Sequence, residues 1–179
     1  MPSFHSSKLL AVAGAALLAL SASAAAQNAG SLLPGGASSL QETYQDWSLS
    51  CQSAQKVVCA VSQQQSQQNG QRVLAVELRG GAEGGISGNL VLPFGLLLDS
   101  GAVLQIDDGQ PRAPLRFSTC VPAGCLVPLT FDAKTIAALR PGTALKIKVQ
   151  NMDKQEVTLS ISLKGLAAAL DRLKALAGA

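Results

Sequence analysis

Short runs in which apolar and polar residues alternate constrain the fold of this chain most strongly. The segment VTLSISL, residues 157–163, places an apolar side chain at every second position, and LKIKV, residues 145–149, repeats the pattern. A period of two is expected of a strand that buries one face and exposes the other. The pattern therefore predicts the strands of an antiparallel sheet.

Turn signals separate the predicted strands at short, regular intervals. Further apolar runs occupy residues 47–51, 57–61, 73–78 and 103–106. The intervening signals are Asn69-Gly70, Gly80-Gly81, Gly84-Gly85, Pro93 with Gly95, Ser100-Gly101, Asp108-Gly109 and Pro141-Gly142. This recurrence is typical of a β-sandwich or barrel and not of βαβ units. We predict an all-β protein with an antiparallel β-sandwich.

Helical spacing replaces the period of two at the end of the chain. Leucines recur on one helical stripe from Leu166 to Leu176, with charged residues off the stripe. This predicts a short C-terminal amphipathic helix that packs on the sheet or covers an edge strand, with a membrane-surface or partner-binding helix as the alternative. Residues 132–139 are expected to form a helical turn capped by Asp132.

The first 26 residues have the composition of a secretory signal peptide. Lys8 precedes an apolar run of twelve residues, Leu9 to Leu20, and small residues follow up to Ala26. That run is shorter than the roughly 20 residues needed to cross a bilayer. We predict cleavage near Ala26, a periplasmic or secreted protein and no transmembrane segment in the mature chain, with an uncleaved anchor as the alternative.

A segment of small residues without periodicity follows the predicted cleavage site. Residues 27–43 contain three glycines, one proline and three serines in place of an apolar pattern. We predict a flexible leader over residues 27–43 and one β-domain over residues 44–179.

Four cysteines remain after the predicted cleavage, and an even count in an exported chain indicates disulfides. Three pairings are possible. We favour Cys51 with Cys59 and Cys120 with Cys125, because each pair closes a short loop of turn-forming residues. A zinc cluster or a redox pair is the alternative, but the spacings C-x7-C and C-x4-C do not match C-x2-C motifs.

The favoured pairing also fixes a strand register. If Cys51 faces Cys59 across a hairpin, Leu49 lies opposite Val61, and Trp47 lies opposite Gln63 on the same face. Trp47 is therefore expected to be a core anchor beside this disulfide.

The only histidine, His5, lies in the predicted signal peptide. The mature domain would contain no imidazole, which excludes Ser-His-Asp and Cys-His catalysis and histidine-ligated metals. We predict no catalytic residues, no metal site and no cofactor. The alternative is a periplasmic hydrolase that uses a carboxylate or a Ser-Lys site, with Asp107 and a Lys or Ser as its candidate groups. Asp107-Asp108 is the only adjacent carboxylate pair, but it precedes Gly109 and is more typical of a turn.

Charge and aromatic content give no support to nucleic-acid binding. The chain has 14 Lys and Arg against 11 Asp and Glu, a net charge of +3, and no basic block. One Trp, one Tyr and four Phe do not supply a series of stacking platforms. We predict no nucleic-acid partner.

A glutamine-rich segment is the most unusual local composition in the predicted domain. It spans residues 63–71, and its candidate partner-binding side chains are Gln63, Gln64, Gln65, Gln67 and Gln68. Amide groups donate and accept hydrogen bonds without carrying charge, which suits a polar protein or glycan partner. The alternative is a solvated hairpin loop.

Several segments taken together resemble the invasion-associated locus B family of small exported bacterial proteins. They are Asp46-Trp47-x3-Cys51 with Cys59, Leu92-Pro93-Phe94-Gly95-Leu96, Gly101-x2-Leu104-x-Ile106-Asp107, Phe117-x2-Cys120-x3-Gly124-Cys125 and Ser162-Leu163-Lys164-Gly165-Leu166. The chain departs from the family pattern at Leu166, where members usually carry Phe, and at Leu126, where many carry a small residue.

The resemblance implies a secreted or periplasmic β-sandwich with no established enzymatic activity. The family's namesake is associated with bacterial entry into red cells. We therefore expect an exported, non-catalytic envelope or cell-surface interaction protein that contributes to host-cell association, with an unknown protein or glycan of the envelope or host surface as its partner.

Overall fold

Ten strands and two α-helices make up the part of the chain that the computed structural model describes, residues 33–66, 68, 70, 72–81 and 84–177. The strands are β1 Ser39–Tyr44, β2 Trp47–Ser53, β3 Val57–Ser66, β4 Arg72–Gly80, β5 Ile86–Leu92, β6 Val103–Ile106, β7 Thr119–Val121, β8 Gly124–Phe131, β9 Ala144–Gln150 and β10 Glu156–Ser162. The helices are α1 Ala133–Leu139 and α2 Leu166–Ala177. Short 3-10 turns occupy Pro34–Gly36 and Leu98–Ser100.

The strands form two antiparallel sheets. The larger sheet has seven strands in the order β1-β2-β3-β4-β5-β8-β7, and the smaller has three in the order β10-β9-β6. Buried side chains of both sheets and of α2 belong to one hydrophobic core, with Leu49, Val61 and Ile147 among its fully buried members. The predicted antiparallel β-sandwich with a C-terminal helix is therefore confirmed.

Both helices occur where the sequence pattern places them. In α1 the carboxylate of Asp132 accepts a hydrogen bond from the backbone N–H of Thr135 at 2.8 Å, which satisfies one of the free donors of the first turn. The leucine stripe of α2, including Leu166 and Leu173, is buried against the larger sheet, mainly on β3. The packing interpretation of this helix is confirmed.

The start of the ordered domain differs from the prediction. The sequence predicts a flexible leader through residue 43, but residues 39–43 belong to β1 and pair with β2, with Ser39 opposite Gln52. Leu33 is also buried in the core, at 3% exposure. The leader prediction is wrong over residues 33–43 because polar residues dominate an edge strand whose exposed face needs no apolar pattern. The predicted signal peptide, residues 1–26, lies outside the described residues.

Two long strands, β5 and β8, were not expected from the alternation. In β8 the interruption is Pro128, which lacks an N–H group. The Leu126 carbonyl accepts a hydrogen bond from the Ser118 N–H, so the backbone N and C=O groups of every second residue of β8 point toward β7. Pro128 is one of these residues. Since β7 ends opposite Leu126, Pro128 lies where no ladder bond is needed.

Both disulfides have the favoured connectivity. Cys51 is bonded to Cys59 and Cys120 to Cys125, with each pair directly opposite across an antiparallel hairpin. Leu49 faces Val61 as predicted. The first disulfide lies between the central strands β2 and β3 and the second ties the edge strand β7 to β8.

Candidate functional site

The first four residues of the glutamine-rich segment, 63–66, lie in strand β3, which corrects the predicted loop over that part. Gln63, Gln64 and Gln65 belong to β3, and Gln68 is an exposed turn residue. Gln67 lies outside the described residues. Gln63 is only 7% exposed, so its side chain is not available to a partner. The period of two simply continues past Val61, with glutamines in place of apolar residues on the inner face.

These inward glutamines join the two sheets. The Gln63 amide donates to the carbonyl of Ser162 and accepts from its N–H, both at 3.0 Å, and Gln65 donates to the carbonyl of Ser160. The indole N–H of Trp47 donates to the same Ser162 carbonyl at 2.9 Å. The Ser162 hydroxyl donates to Asp46 at 2.6 Å.

We call Asp46, Trp47, Gln63, Gln65, Ser160 and Ser162 the inter-sheet joint. The side chains of Trp47, Gln63 and Gln65 bond the backbone of β10 on the edge that β9 does not cover. An uncovered strand edge is a site for unwanted pairing with other chains, and amide side chains remove that liability here. The joint is therefore structural. At 1% exposure Trp47 is the predicted core anchor.

An ion pair fixes α2 to the edge strand β1. Arg172 makes a bidentate contact with Glu42 at 2.8–3.2 Å, and the Tyr44 hydroxyl donates to the same carboxylate at 2.6 Å. The hydrogen bonds from Arg172 and then Tyr44 lower the pKa of Glu42. The bond to the Glu42 carboxylate raises the pKa of Tyr44. Each shift follows from a structural contact and indicates no reactive group.

The adjacent carboxylates have separate structural partners. Asp107 lies in a turn with a φ of 48° and accepts hydrogen bonds from the backbone N–H groups of Thr143 and Ala144 at 2.9–3.2 Å. Asp108 is exposed and bonds Lys146 at 2.7 Å, a contact that lowers the pKa of Asp108. The turn interpretation of the pair is confirmed. The arrangement gives Asp107 neither the Lys nor the Ser partner that the hydrolase alternative needs, among the contacts described.

The described residues contain no group of three or more His, Cys, Asp or Glu side chains placed to hold a metal ion. The same residues contain no helix that is both long and apolar enough to span a membrane.

One end of the sandwich exposes large apolar side chains. Phe94 is 60% exposed, Leu98 41%, Val121 37% and Met152 75%. We call these four residues the apolar end surface. Three chain reversals carry them: the loop after β5, the β7–β8 hairpin and the turn between β9 and β10.

Backbone pairing brings these three reversals together. Leu96 pairs with Asn151, and the N–H of Leu97 donates to Gln150 at 2.9 Å, which fixes the loop after β5 beside the β9–β10 turn. Leu92 lies opposite Cys125, so the same loop also begins beside the β7–β8 hairpin. Between these anchors the chain turns at Gly95, which has a φ of 84°.

Exposure of several large apolar groups on rigid, adjacent turns needs an explanation, because single exposed apolar residues are ordinary but clustered ones mark contact sites. Sequence patterns miss this surface. Phe94 stands in an apolar segment, and the alternation of apolar and polar residues does not indicate that its side chain points outward. The P-F-G turn was the available signal, since a bulky residue between two turn formers cannot follow the strand.

The described residues define a disulfide-bonded antiparallel β-sandwich with a C-terminal helix and an exposed apolar end surface. The model of the family Invasion associated locus B (IalB) protein matches residues 47–174. The chain therefore belongs to the invasion-associated locus B family.

Named relatives cover nearly the whole chain. An invasion protein B homolog of Brucella abortus is 52% identical over 170 residues, which is 93% of this chain and 94% of that protein. Invasion protein B of Bartonella bacilliformis is 37% identical over 174 residues, covering 90% and 93% of the two chains. The crystal structure of invasion associated protein B from Bartonella henselae superimposes with a TM-score of 0.74 at 38% identity, covering 78% of this chain and 99% of that one.

The residues of the motifs that carry the family resemblance differ in their burial. Trp47 and Leu92 are buried at 1%, and Leu104 and Leu163 at 2% and 3%. Packing in the hydrophobic core accounts for these four residues. Phe94 lies in the same set of motifs but is largely exposed, so packing does not account for it.

Proposed function

We propose that this protein is an exported, non-catalytic interaction protein that contacts its partner through the apolar end surface and so contributes to host-cell association. The observation that carries the proposal is the clustering of Phe94, Leu98, Val121 and Met152 on three turns held by backbone pairing. Aromatic residues and methionine are enriched in protein interfaces.

Rigid presentation of these side chains favours binding. The turns are fixed before a partner arrives, so little conformational entropy is lost on association. A polar margin is present as well, because the register from Val91 through Ala75 to Gln64 places the exposed Gln68 turn at the same end of the sheet. Exposed Gln64 and Gln68 thus remain candidates for partner contact at the rim of the apolar end surface.

Export is supported by the paired cysteines. Disulfides persist in oxidising compartments, and the described residues contain two of them and no free cysteine. With the signal-like composition of residues 1–26, this favours a periplasmic or secreted protein. The names of the relatives associate them with invasion, which makes a protein or glycan of the host surface or envelope the expected partner class.

The test is quantitative crosslinking of purified mature protein to envelope and host-cell surface preparations. We compare the native chain with Phe94→Ser and Met152→Ser. The matched control is Val58→Ser, because Val58 is 44% exposed but lies in β3 outside the apolar end surface. We expect a set of crosslinked partners that is recovered with native protein and the Val58 variant, and lost with the other two.

Equal recovery with all three variants would contradict the proposal. Peptide-level crosslinks mapped to the loop after β5 provide a second criterion on the native chain. Gln64→Ser and Gln68→Ser then measure the contribution of the polar rim, for which we expect a weaker effect than for Phe94→Ser.

A further inference from the structure

A second surface, independent of the proposed function, is an apolar groove between the two helices. Its volume is about 500 Å³, within the range of about 300–1,000 Å³ typical of small-molecule sites. Its walls are α1, α2 and the glycines at positions 80, 81, 84 and 85, with Ile86 at the start of β5. Since β5 rises about 3.3 Å per residue, Ile86 lies about 20 Å from the apolar end surface beyond Leu92.

Small residues keep this groove open. Ala133 and Ala137 occupy the groove side of α1, one turn apart, and Ile136 is the one large side chain that this helix contributes. A Cβ atom built on Gly80 or Gly84 would meet no atom within 4 Å. On these two sides the described residues present mainly backbone and methyl groups, which leaves the groove open between them.

The floor of the groove is hydrophobic and continuous with the core. Ile86, Leu170 and Leu173 line it, and each is at most 9% exposed. An apolar chain lying on this floor would remove further hydrophobic surface from water, which is favourable in proportion to the area covered.

Charged groups are confined to one rim. The Arg140 guanidinium contacts both carboxylate oxygens of Asp171, one at 3.1 Å, so these two charges are mutually compensated. Lys174 also lines the groove and makes no ion pair with any other described residue. Among the described residues, the rim therefore carries one ammonium group without an ion-pair partner next to an apolar trough. The Arg140 contact and, to a smaller extent, the charge of Lys174 lower the pKa of Asp171, which keeps the compensating carboxylate ionised.

We propose that the groove between α1 and α2 binds a free long-chain fatty acid, with its hydrocarbon tail on Ile86, Leu170 and Leu173 and its carboxylate at Lys174. A single negative charge matches the one uncompensated ammonium group, and an unbranched tail matches a groove lined by small residues. A neutral apolar ligand would leave Lys174 unused, and a cationic one would be repelled by it.

The primary experiment measures displacement of a dansyl-labelled fatty acid from purified mature protein by laurate. Ala137→Phe fills the groove, and we expect laurate affinity to fall about tenfold or more. Ala138→Phe is the matched control, since Ala138 is an exposed neighbour on the same helix that does not line this groove. It should bind laurate as the native chain does. Thermal melting of each variant establishes that it is folded.

The charge is tested separately. Lys174→Gln should weaken laurate about two- to fivefold, the range of an exposed ion pair, while Lys164→Gln should not. Lauryl alcohol should displace the probe less well than laurate, and dodecyltrimethylammonium least. A photoreactive fatty acid on the native chain should label peptides of α1 and α2, which keeps the test valid if Ala137→Phe does not fold.

Three results would overturn the inference. Native protein that shows no saturable binding has no such site. Equal affinity in the Ala137 and Ala138 variants places binding elsewhere. If light scattering shows a native dimer that Ala137→Phe converts to a monomer, the groove is covered by a second copy of this chain and not by a fatty acid.

Discussion

The inter-sheet joint and the apolar end surface place their side chains in opposite environments. In the joint, Gln63 and Trp47 are polar or partly polar groups that are buried, and each makes its hydrogen bonds to the backbone of β10. In the apolar end surface, Phe94 and Met152 are apolar groups that remain largely in water. The joint therefore buries polar groups, and the end surface exposes apolar ones; each is the reverse of the usual preference.

The difference separates residues that serve the fold from residues available for binding. A buried amide with all its partners inside the chain contributes to stability, because removing it leaves backbone groups unpaired. An exposed aromatic side chain contributes little to the folded state, so substitutions there should leave stability almost unchanged.

The largest effect is expected from a glycine next to the joint. Gly165 has a φ of 86°, and a Cβ atom there would lie 2.0 Å from the carbonyl oxygen of Tyr44. Gly165→Ala should lower the free energy of unfolding by about 4 kcal/mol, because backbone strain and a backbone clash combine. Gly95 has a similar φ of 84° but no atom within 4 Å of its Cβ position. Gly95→Ala should cost only about 1 kcal/mol.

Urea unfolding of both glycine variants provides the measurement. Equal losses in the two variants would show that φ alone determines the cost and that the close approach of β1 to the start of α2 is unimportant.

The disulfide on the joint strands should contribute more stability than the disulfide in the end hairpin. Cys51 and Cys59 are 0% and 8% exposed on the joint strands, whereas Cys120 is exposed in the hairpin that carries Val121. The double variant C51A/C59A should lose about 3 kcal/mol and C120A/C125A about 2 kcal/mol, since the first disulfide closes the longer loop and both of its cysteines are buried, whereas only Cys125 of the second is buried.

Mild reduction followed by thiol labelling checks this difference on the native chain. Cys120 and Cys125 should be labelled first. Earlier labelling of Cys51 would mean that the strands of the joint open more readily than the end hairpin.

The inward and outward glutamines of β3 give the next comparison. Gln63→Leu removes both hydrogen bonds to Ser162 and should cost about 2 kcal/mol, because the Ser162 N–H loses its partner and the Ser162 carbonyl keeps only the Trp47 indole. Gln64→Leu, on the exposed side of the same strand, should stay within about 0.5 kcal/mol of the native chain. Similar Tm values for the two variants would show that the joint is dispensable.

The period of two was sufficient to predict most of this fold. It located six strands and, with the cysteine spacing, the hairpin that pairs Cys51 with Cys59. It was not sufficient for β8, because Pro128 is compatible with a strand only where the neighbouring strand has ended.

The candidate site was less predictable from the sequence. The alternation places Gln63 on the same face as Val61, but a polar composition suggested a solvated loop. Burial of that amide depends on Ser162, 99 residues further along the chain, and no local pattern encodes this contact. Exposure of Phe94 likewise depends on the pairing of Leu96 with Asn151. Both features are tertiary, so they become visible only when the two sheets are placed together.

The smallest effect is expected from the ion pair between β1 and α2, and it depends on pH. Arg172 and Tyr44 hold the pKa of Glu42 below its ordinary value. A carboxylate with a lowered pKa in the folded state contributes stability above the pKa of the unfolded chain. That contribution is lost as the pH falls through the lowered pKa of the folded state.

Glu42→Gln should therefore lower the Tm near neutral pH by less than Gln63→Leu does, and the melting curves of native and variant protein should converge in acid. Glu77→Gln is the control, because the Glu77–Arg79 pair lies on the exposed face with side chains 50% and 56% exposed. Solvent screens such a pair, so its loss should hardly change the Tm at neutral pH. If the gap between native chain and Glu42→Gln persisted in acid, the pair's charge would not be its source. Packing of the Glu42 and Tyr44 side chains would then be what holds α2 to the edge of the larger sheet.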